Sequence, residues 1–282
     1  MKIFISTDME GIGGISSWNE MTEPSQKGAC NAALKQELTW VIDELIRLTE
    51  DNDKLRIEEI CICDSHSRGE NLAYGSFGDP RVTHIKGYPR HSYMLEGLDS
   101  SFDALYLLGY HAMIGSKWGM MDHSYSASCI YSVRLNGKPV GEVEINAYYA
   151  GLFGVPVGFV SGDDILEKQL QEYFTVPYVR TKEGLGRSAG KMYAPELLKK
   201  SFELQVGKFI ESIGKLEVKQ IKAPIELEVD LTSTVVADAV SIVPGIKRID
   251  GRTVSYKSDS YDDIFHMILT IAMLGGRFAQ YT

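Results

Sequence analysis

The chain has 282 residues, 44% hydrophobic and 24% charged, an ordinary globular composition that excludes a disordered, collagen-like or coiled-coil chain. Asp and Glu outnumber Lys and Arg by 38 to 29, a formal net charge of −9, and an acidic surface argues against general nucleic-acid binding. Four cysteines without a C-x-x-C pair (Cys30, Cys61, Cys63, Cys129) read as reduced residues, no run approaches the ~18 apolar residues of a membrane span, and the N-terminus lacks a signal-peptide core. The expectation is a cytoplasmic enzyme with no membrane partner.

Lys2 to Thr7 is short, apolar and β-rich, and it runs directly into Asp8 and Glu10. Residues 28–50 place Leu34, Leu38, Val41, Ile42, Leu45 and Leu48 on one helical face. Strands are expected over 57–63, 82–86 and 103–109. The first of these runs ends before His66, and the last is followed by His111. A loop rich in Gly and Met, 112–122, leads to His123. A hairpin over 126–141 turns at Asn136-Gly137. Then come a helix over 142–153, a strand over 155–160 and a helix N-cap in Ser161–Asp164. Beyond this the pattern weakens. Helices are expected over 163–173, 195–213 and 260–274, an alternating strand over 225–231, and a turn at Asp250-Gly251. The order predicts an α/β fold: a mainly parallel central sheet flanked by helices, an antiparallel hairpin elaboration and a C-terminal α+β lobe. The expected division is a site-bearing lobe, 1–162, and a C-terminal lobe, 163–282, with one compact catalytic unit as the alternative.

In open α/β sheets, ligands bind beyond the carboxyl ends of the strands. Asp8, Glu10, His66 and His111 fall at three such ends, and Glu142 opens the helix after the hairpin. Two imidazoles and three carboxylates suit a borderline cation such as zinc, and five donors exceed the ~3 usual for one catalytic zinc, which points to two metals. Asp64, two residues before His66, is placed to orient it or to cap a turn. Asn146, one helical turn after Glu142, is placed to reach substrate or to pack in the core. His84, His91 and His266 lack this placement and read as structural. Arg187 and Lys191 fit either a substrate carboxylate or a subunit contact. The glycines at 11, 13 and 14 hint at a dinucleotide loop. Ser16 breaks that motif, and Asp8 and Glu10 would repel a pyrophosphate.

The motifs S-T-D-M-E-G (6–11), C-D-S-H-S (63–67), L-G-Y-H-A (108–112), M-D-H-S (121–124) and G-K-P-V-G-E-V-E-I-N-A (137–147) together resemble the zinc D-aminopeptidase family encoded in dipeptide-transport operons, the DppA type. The resemblance extends over nearly the whole chain and weakens toward the C-terminus. It implies a dinuclear zinc aminopeptidase with Asp8, Glu10, His66, His111 and Glu142 as ligands of two Zn2+ per chain. It implies His123 as the catalytic histidine. It also implies short peptides as substrates, D-residues included, and a homo-oligomer of pentamers stacked into decamers. Two departures lie near the site: Lys117 and Trp118 in a slightly longer loop before His123, and Glu144 in place of a small residue. Two other readings stay open on the residues alone. One is a different dinuclear hydrolase, an amidase or phosphoesterase. The other is a non-catalytic peptide- or metal-binding protein.

Overall fold

A computed structural model describes residues 1–281. In chain order the strands and helices are β1 (Lys2–Thr7), α1 (Trp18–Thr22), α2 (Pro24–Thr49), β2 (Glu59–Asp64), β3 (Val82–Ile85), β4 (Ala104–Leu108), β5 (Ile130–Leu135), β6 (Lys138–Pro139) and α3 (Glu142–Gly151). There follow β7 (Val157–Asp163), α4 (Asp164–Leu170), β8 (Tyr178–Gly186), β9 (Ala189–Met192), α5 (Pro195–Ser212), β10 (Ile225–Leu231), α6 (Thr234–Val240), β11 (Lys247–Arg248), β12 (Thr253–Ser258) and α7 (Tyr261–Phe278).

One sheet has seven strands in the order β3-β2-β1-β4-β7-β8-β9, parallel except for β9. Its inner strands are near-continuous apolar runs because both faces are covered. On one face, Ile3, Ile5, Ile60 and Tyr106 pack against Leu34, Leu38 and Val41 of α2 and Phe202, Val206 and Phe209 of α5. The other face meets α3, α7 and the second sheet in a core that includes Phe4, Leu105, Leu107, Val143, Ile145 and Ile268. That second sheet is antiparallel, in the order β11-β12-β10-β5-β6.

The mainly parallel sheet, its flanking helices and the antiparallel elaboration match the expected fold class. The hairpin β5–β6 turns at Asn136 (φ 50°) and Gly137 (φ 76°), the left-handed pair that suits a tight two-residue turn. Asp163 caps α4 by accepting from the backbone N–H groups of Ile165 and Leu166. The lobes expected at 1–162 and 163–282 interleave instead. Position 162 lies inside β7, β8 and β9 extend the first sheet, and β5 and β6 belong to the second. The segments β8, β9, α1 and α6 carry no clear periodicity and were not among the expected elements.

Candidate metal centre

Strands β2, β1 and β4 are neighbours and parallel, so the residues after them meet at one sheet edge. Asp8 and Glu10 follow β1, His66 follows β2 and His111 follows β4. Gly109 makes the approach possible. Its φ is +78°, and a side chain there would strike the Asp8 carbonyl oxygen and Ile12. In its place Asp8 N–H donates to Leu108 O (2.8 Å) and Gly11 N–H donates to Gly109 O (2.7 Å). The glycines of the 11–14 run thus serve close backbone packing. A Cβ at Gly11 would collide with the Tyr110 carbonyl, and Gly13 N–H donates to the Glu37 carboxylate (2.7 Å).

Two three-donor groups result. Asp8, Glu10 and His66 form one, and His111, His123 and Glu142 the other. Within each group the ligand atoms lie within 4.8 Å of one another. Asp8 also reaches the second group: its Oδ2 is 3.3 Å from His111 Nε2. Glu142 Oε1 lies 3.3 Å from His111 Nε2 and 3.7 Å from His123 Nε2, and Glu10 Oε1 lies 3.4 Å from His66 Nε2. Glu142 opens α3, where the helix dipole favours an anion. His111 Nδ1 sits 3.0 Å from its neighbour's carbonyl, Ala112 O, and His123 Nδ1 2.9 Å from Met121 O. Those backbone acceptors leave Nε2 of both rings facing the cluster. The two rings stack at 3.9 Å between centroids.

Charge crowding shifts these groups strongly. Burial and the neighbouring Glu10 push Asp8 up to about 7. Burial opposes ionisation of Glu10 and Glu142 as well, but His66 pulls Glu10 well below its ordinary value, and His111 and His123 pull Glu142 down. Burial disfavours charged imidazoles, yet Glu10 holds His66 up at about 9, and Glu142 with Asp8 holds His111 well above its usual range. Burial and the charge of His111 push His123 down. Protons thus offset the mutual repulsion of three buried carboxylates, a task a divalent cation performs while releasing those protons. His111 Nε2 and Glu10 Oε2 are buried without a hydrogen-bond partner. Imidazole and carboxylate donors with such atoms turned inward fit zinc.

The cluster opens into a cavity of about 190 Å³ walled by Trp18, Tyr93 and Tyr125 among others. Sequence reasoning did not single out these groups. Trp18 Nε1 donates to Glu10 Oε1 (2.8 Å), and Tyr125 N–H donates to Glu142 Oε1 (2.7 Å). Lys182 of β8 is fully buried, and its Nζ donates to the carbonyls of Glu10 (2.5 Å), Ile12 (2.9 Å) and Ile15 (2.6 Å). It clamps the ligand-bearing loop from below. Its signal in the sequence is slight: one lysine in a stretch whose charges resemble a solvated surface.

The remaining expected residues are placed as follows. Asp64 accepts from Asn71 N, Leu72 N and Asn71 Nδ2, and Asn71 Nδ2 also donates to His66 O, so Asp64 shapes the His66 turn through Asn71. Asn146 is buried beneath the cluster, where its Oδ1 accepts from Tyr125 Oη and its Nδ2 donates to Tyr110 Oη. Arg187 donates to Asp122 Oδ1 (2.9 Å) and Asp122 O (3.0 Å), beside His123, and Lys191 pairs with Glu183. Glu144 turns away from the cavity, accepting from Gly141 N and Gln169 Nε2. The 112–122 loop is pinned rather than loose, with Met120 N–H bound to Asp163 and Gly115 N–H to Asp122. His84, His91 and His266 join neither donor group.

A doubly covered, mainly parallel sheet with buried carboxylates and imidazoles beyond its strand ends defines an α/β metalloenzyme. Residues 1–270 match the family model described as D-aminopeptidase. The D-aminopeptidase of Bacillus subtilis (strain 168) is 30% identical over 294 aligned positions, covering 98% of each chain. Among solved structures, the Zn-dependent D-aminopeptidase DppA from Bacillus subtilis, a self-compartmentalizing protease, is similar with a TM-score of 0.89 and 26% identity, covering 98% of each chain. The chain belongs to the D-aminopeptidase family, as its motifs led one to expect.

Proposed function

We propose that this chain is a zinc aminopeptidase that removes the N-terminal residue of short peptides, D-residues included, at a dinuclear site with a bridging water. The observation that carries this reading is the convergence of two three-donor groups linked by Asp8, in a chain that matches the family over residues 1–270. Asp8, Glu10, His66, His111 and Glu142 would hold the metal, with Asp8 between the two groups. Bound zinc would supply Lewis-acid polarisation of a carbonyl and a water whose pKa is lowered to about 7.

The chain's own residues do the rest. A free α-amine has a lone pair with which it could bind a metal held by these residues, and a blocked terminus does not. His123, held through Nδ1 by Met121 O and kept neutral by burial and by His111, has Nε2 free to take a proton from the attacking water and hand it on to the leaving amine. Trp18 and Tyr93 wall the cavity beside the donor cluster. The structural relative's self-compartmentalizing character extends to a homo-oligomer here, and the exposed Ile242 and Ile249 offer apolar surface for it. No helix among the described residues is long and apolar enough to cross a membrane, and four free, buried cysteines accord with a reducing cytoplasmic setting.

The test is elemental analysis of protein purified without chelator, paired with hydrolysis of D-alanyl and L-alanyl dipeptides and their N-acetyl forms. About two zincs per chain, and turnover of unblocked substrates only, are expected. Metal-free protein that gains no activity with zinc overturns the reading.

A further inference from the structure

Along Ser67, Tyr93 and Tyr125 the metal cavity adjoins a second cavity of about 240 Å³ that the mechanism above does not use. Its wall carries Arg68 and Arg90 and no carboxylate, although the chain as a whole is strongly acidic. Leu269 and Met273 supply an apolar side.

Arg90 is half-buried. Its Nη1 donates to Asp64 O (2.9 Å) and contacts Cys63 Sγ (3.1 Å), which fixes the guanidinium beneath the His66 turn. Its Nε and Nη2 are buried and have no partner. Arg68 is exposed and forms no ion pair among the described residues. Arg90 thus stands as a fixed positive charge in the wall, and the planar fork of the exposed Arg68 matches a carboxylate.

We propose that this second cavity receives the C-terminal carboxylate of the substrate, with Arg68 and Arg90 as its partners, and that the enzyme therefore selects short peptides with a free carboxyl terminus. The inference rests on the aminopeptidase reading. The second cavity presents guanidiniums, and a dipeptide spans about 7 Å at ~3.3–3.6 Å per residue. With its amine and scissile carbonyl over the donor cluster, its carboxylate enters the arginine cavity. Leu269 and Met273 then face the side chain of the last residue. A C-terminal amide loses the ion pair, and a long peptide carries its carboxylate past it.

The experiment compares kcat/KM for D-alanyl-D-alanine and its C-terminal amide on the zinc-loaded protein. The free acid is expected to be preferred about 10- to 100-fold, chiefly through KM. In Arg68→Gln, whose exposed position keeps the fold intact, the ratio falls toward one, and Arg68→Gln combined with Arg90→Gln abolishes it. Equal hydrolysis of acid and amide by the wild type overturns the proposal and leaves the aminopeptidase reading standing. Hydrolysis of neither, with zinc bound, overturns that reading and this proposal with it. An acid preference that survives both substitutions places the carboxylate elsewhere and overturns the assignment to these arginines.

Discussion

The seven-stranded sheet is buried along most of its length from both sides, whereas the five-stranded sheet is wetted on one: β10 alternates between buried and half-buried positions from Ile225 to Leu231. Polar groups of the second sheet therefore spread along its open face. Arg134 sits there between Asp230 (2.5 Å) and Glu228 (3.3 Å). In the first sheet the strand bodies leave little room for charge, so it gathers where the strands end. There it lies in a low-dielectric surrounding in which acids and imidazoles shift one another strongly. A solvated ion pair on one sheet and a buried donor cluster on the other differ in what removal of a single group can do.

The largest effect is expected at the link between the donor groups. Asp8→Ala should lower kcat/KM by about a thousandfold or more and reduce bound zinc, read by elemental analysis alongside turnover. If zinc stays bound and activity persists, the strand-end cluster is not the centre of the chemistry. Next comes Lys182→Met, which leaves the carbonyls of Glu10, Ile12 and Ile15 without their donor. A stability loss of about 3 kcal/mol is expected in denaturant unfolding, with zinc held ~10- to 100-fold more weakly in chelator competition.

A subtler effect belongs to Glu37 on α2, whose carboxyl is raised by burial to about 8 from an ordinary 4.5. Between those values the folded chain keeps a proton that the unfolded chain releases. Stability from this group is therefore present at low pH and lost as pH rises through the window, by up to about 1.4 kcal/mol per pH unit. Glu37→Gln should flatten that decline, and denaturant midpoints across the window check it. The smallest effect is set by the open sheet: Arg134→Ala should cost less than about 1 kcal/mol and leave hydrolysis unchanged. A large activity loss there would erase the distinction between the sheets.

The strand-end acids and histidines were legible in sequence because parallel neighbours bring successive strand ends together without any knowledge of side-chain packing. His123 and the family came from motifs rather than from periodicity. The rest depends on tertiary contact. In β8, Tyr178–Gly186, Arg180, Lys182 and Glu183 break the apolar pattern, so neither the strand nor the inward direction of Lys182 shows. Helices α1 and α6 have too few turns for a 3.6-residue period to register. The hairpin β5–β6 pairs with β10 from far along the chain, so a cut at 162 followed the order of elements rather than their hydrogen bonding. Trp18 and Tyr125 each make one hydrogen bond to a carboxylate of the donor cluster, Glu10 and Glu142 respectively, a role invisible before the fold is known.

The Lys182 ammonium touches the ligand loop only through main-chain oxygens. It registers the path of that loop and is indifferent to its wording. The clamp itself makes no demand on the side chains between Glu10 and Ile15, where Gly11, Gly13 and the buried Ile12 answer to packing instead. Adding or removing one residue in that interval would shift the Ile12 and Ile15 carbonyls off a point that a single nitrogen must satisfy. Over evolutionary time the length of this stretch is therefore expected to stay fixed by the clamp, as its glycines are by packing.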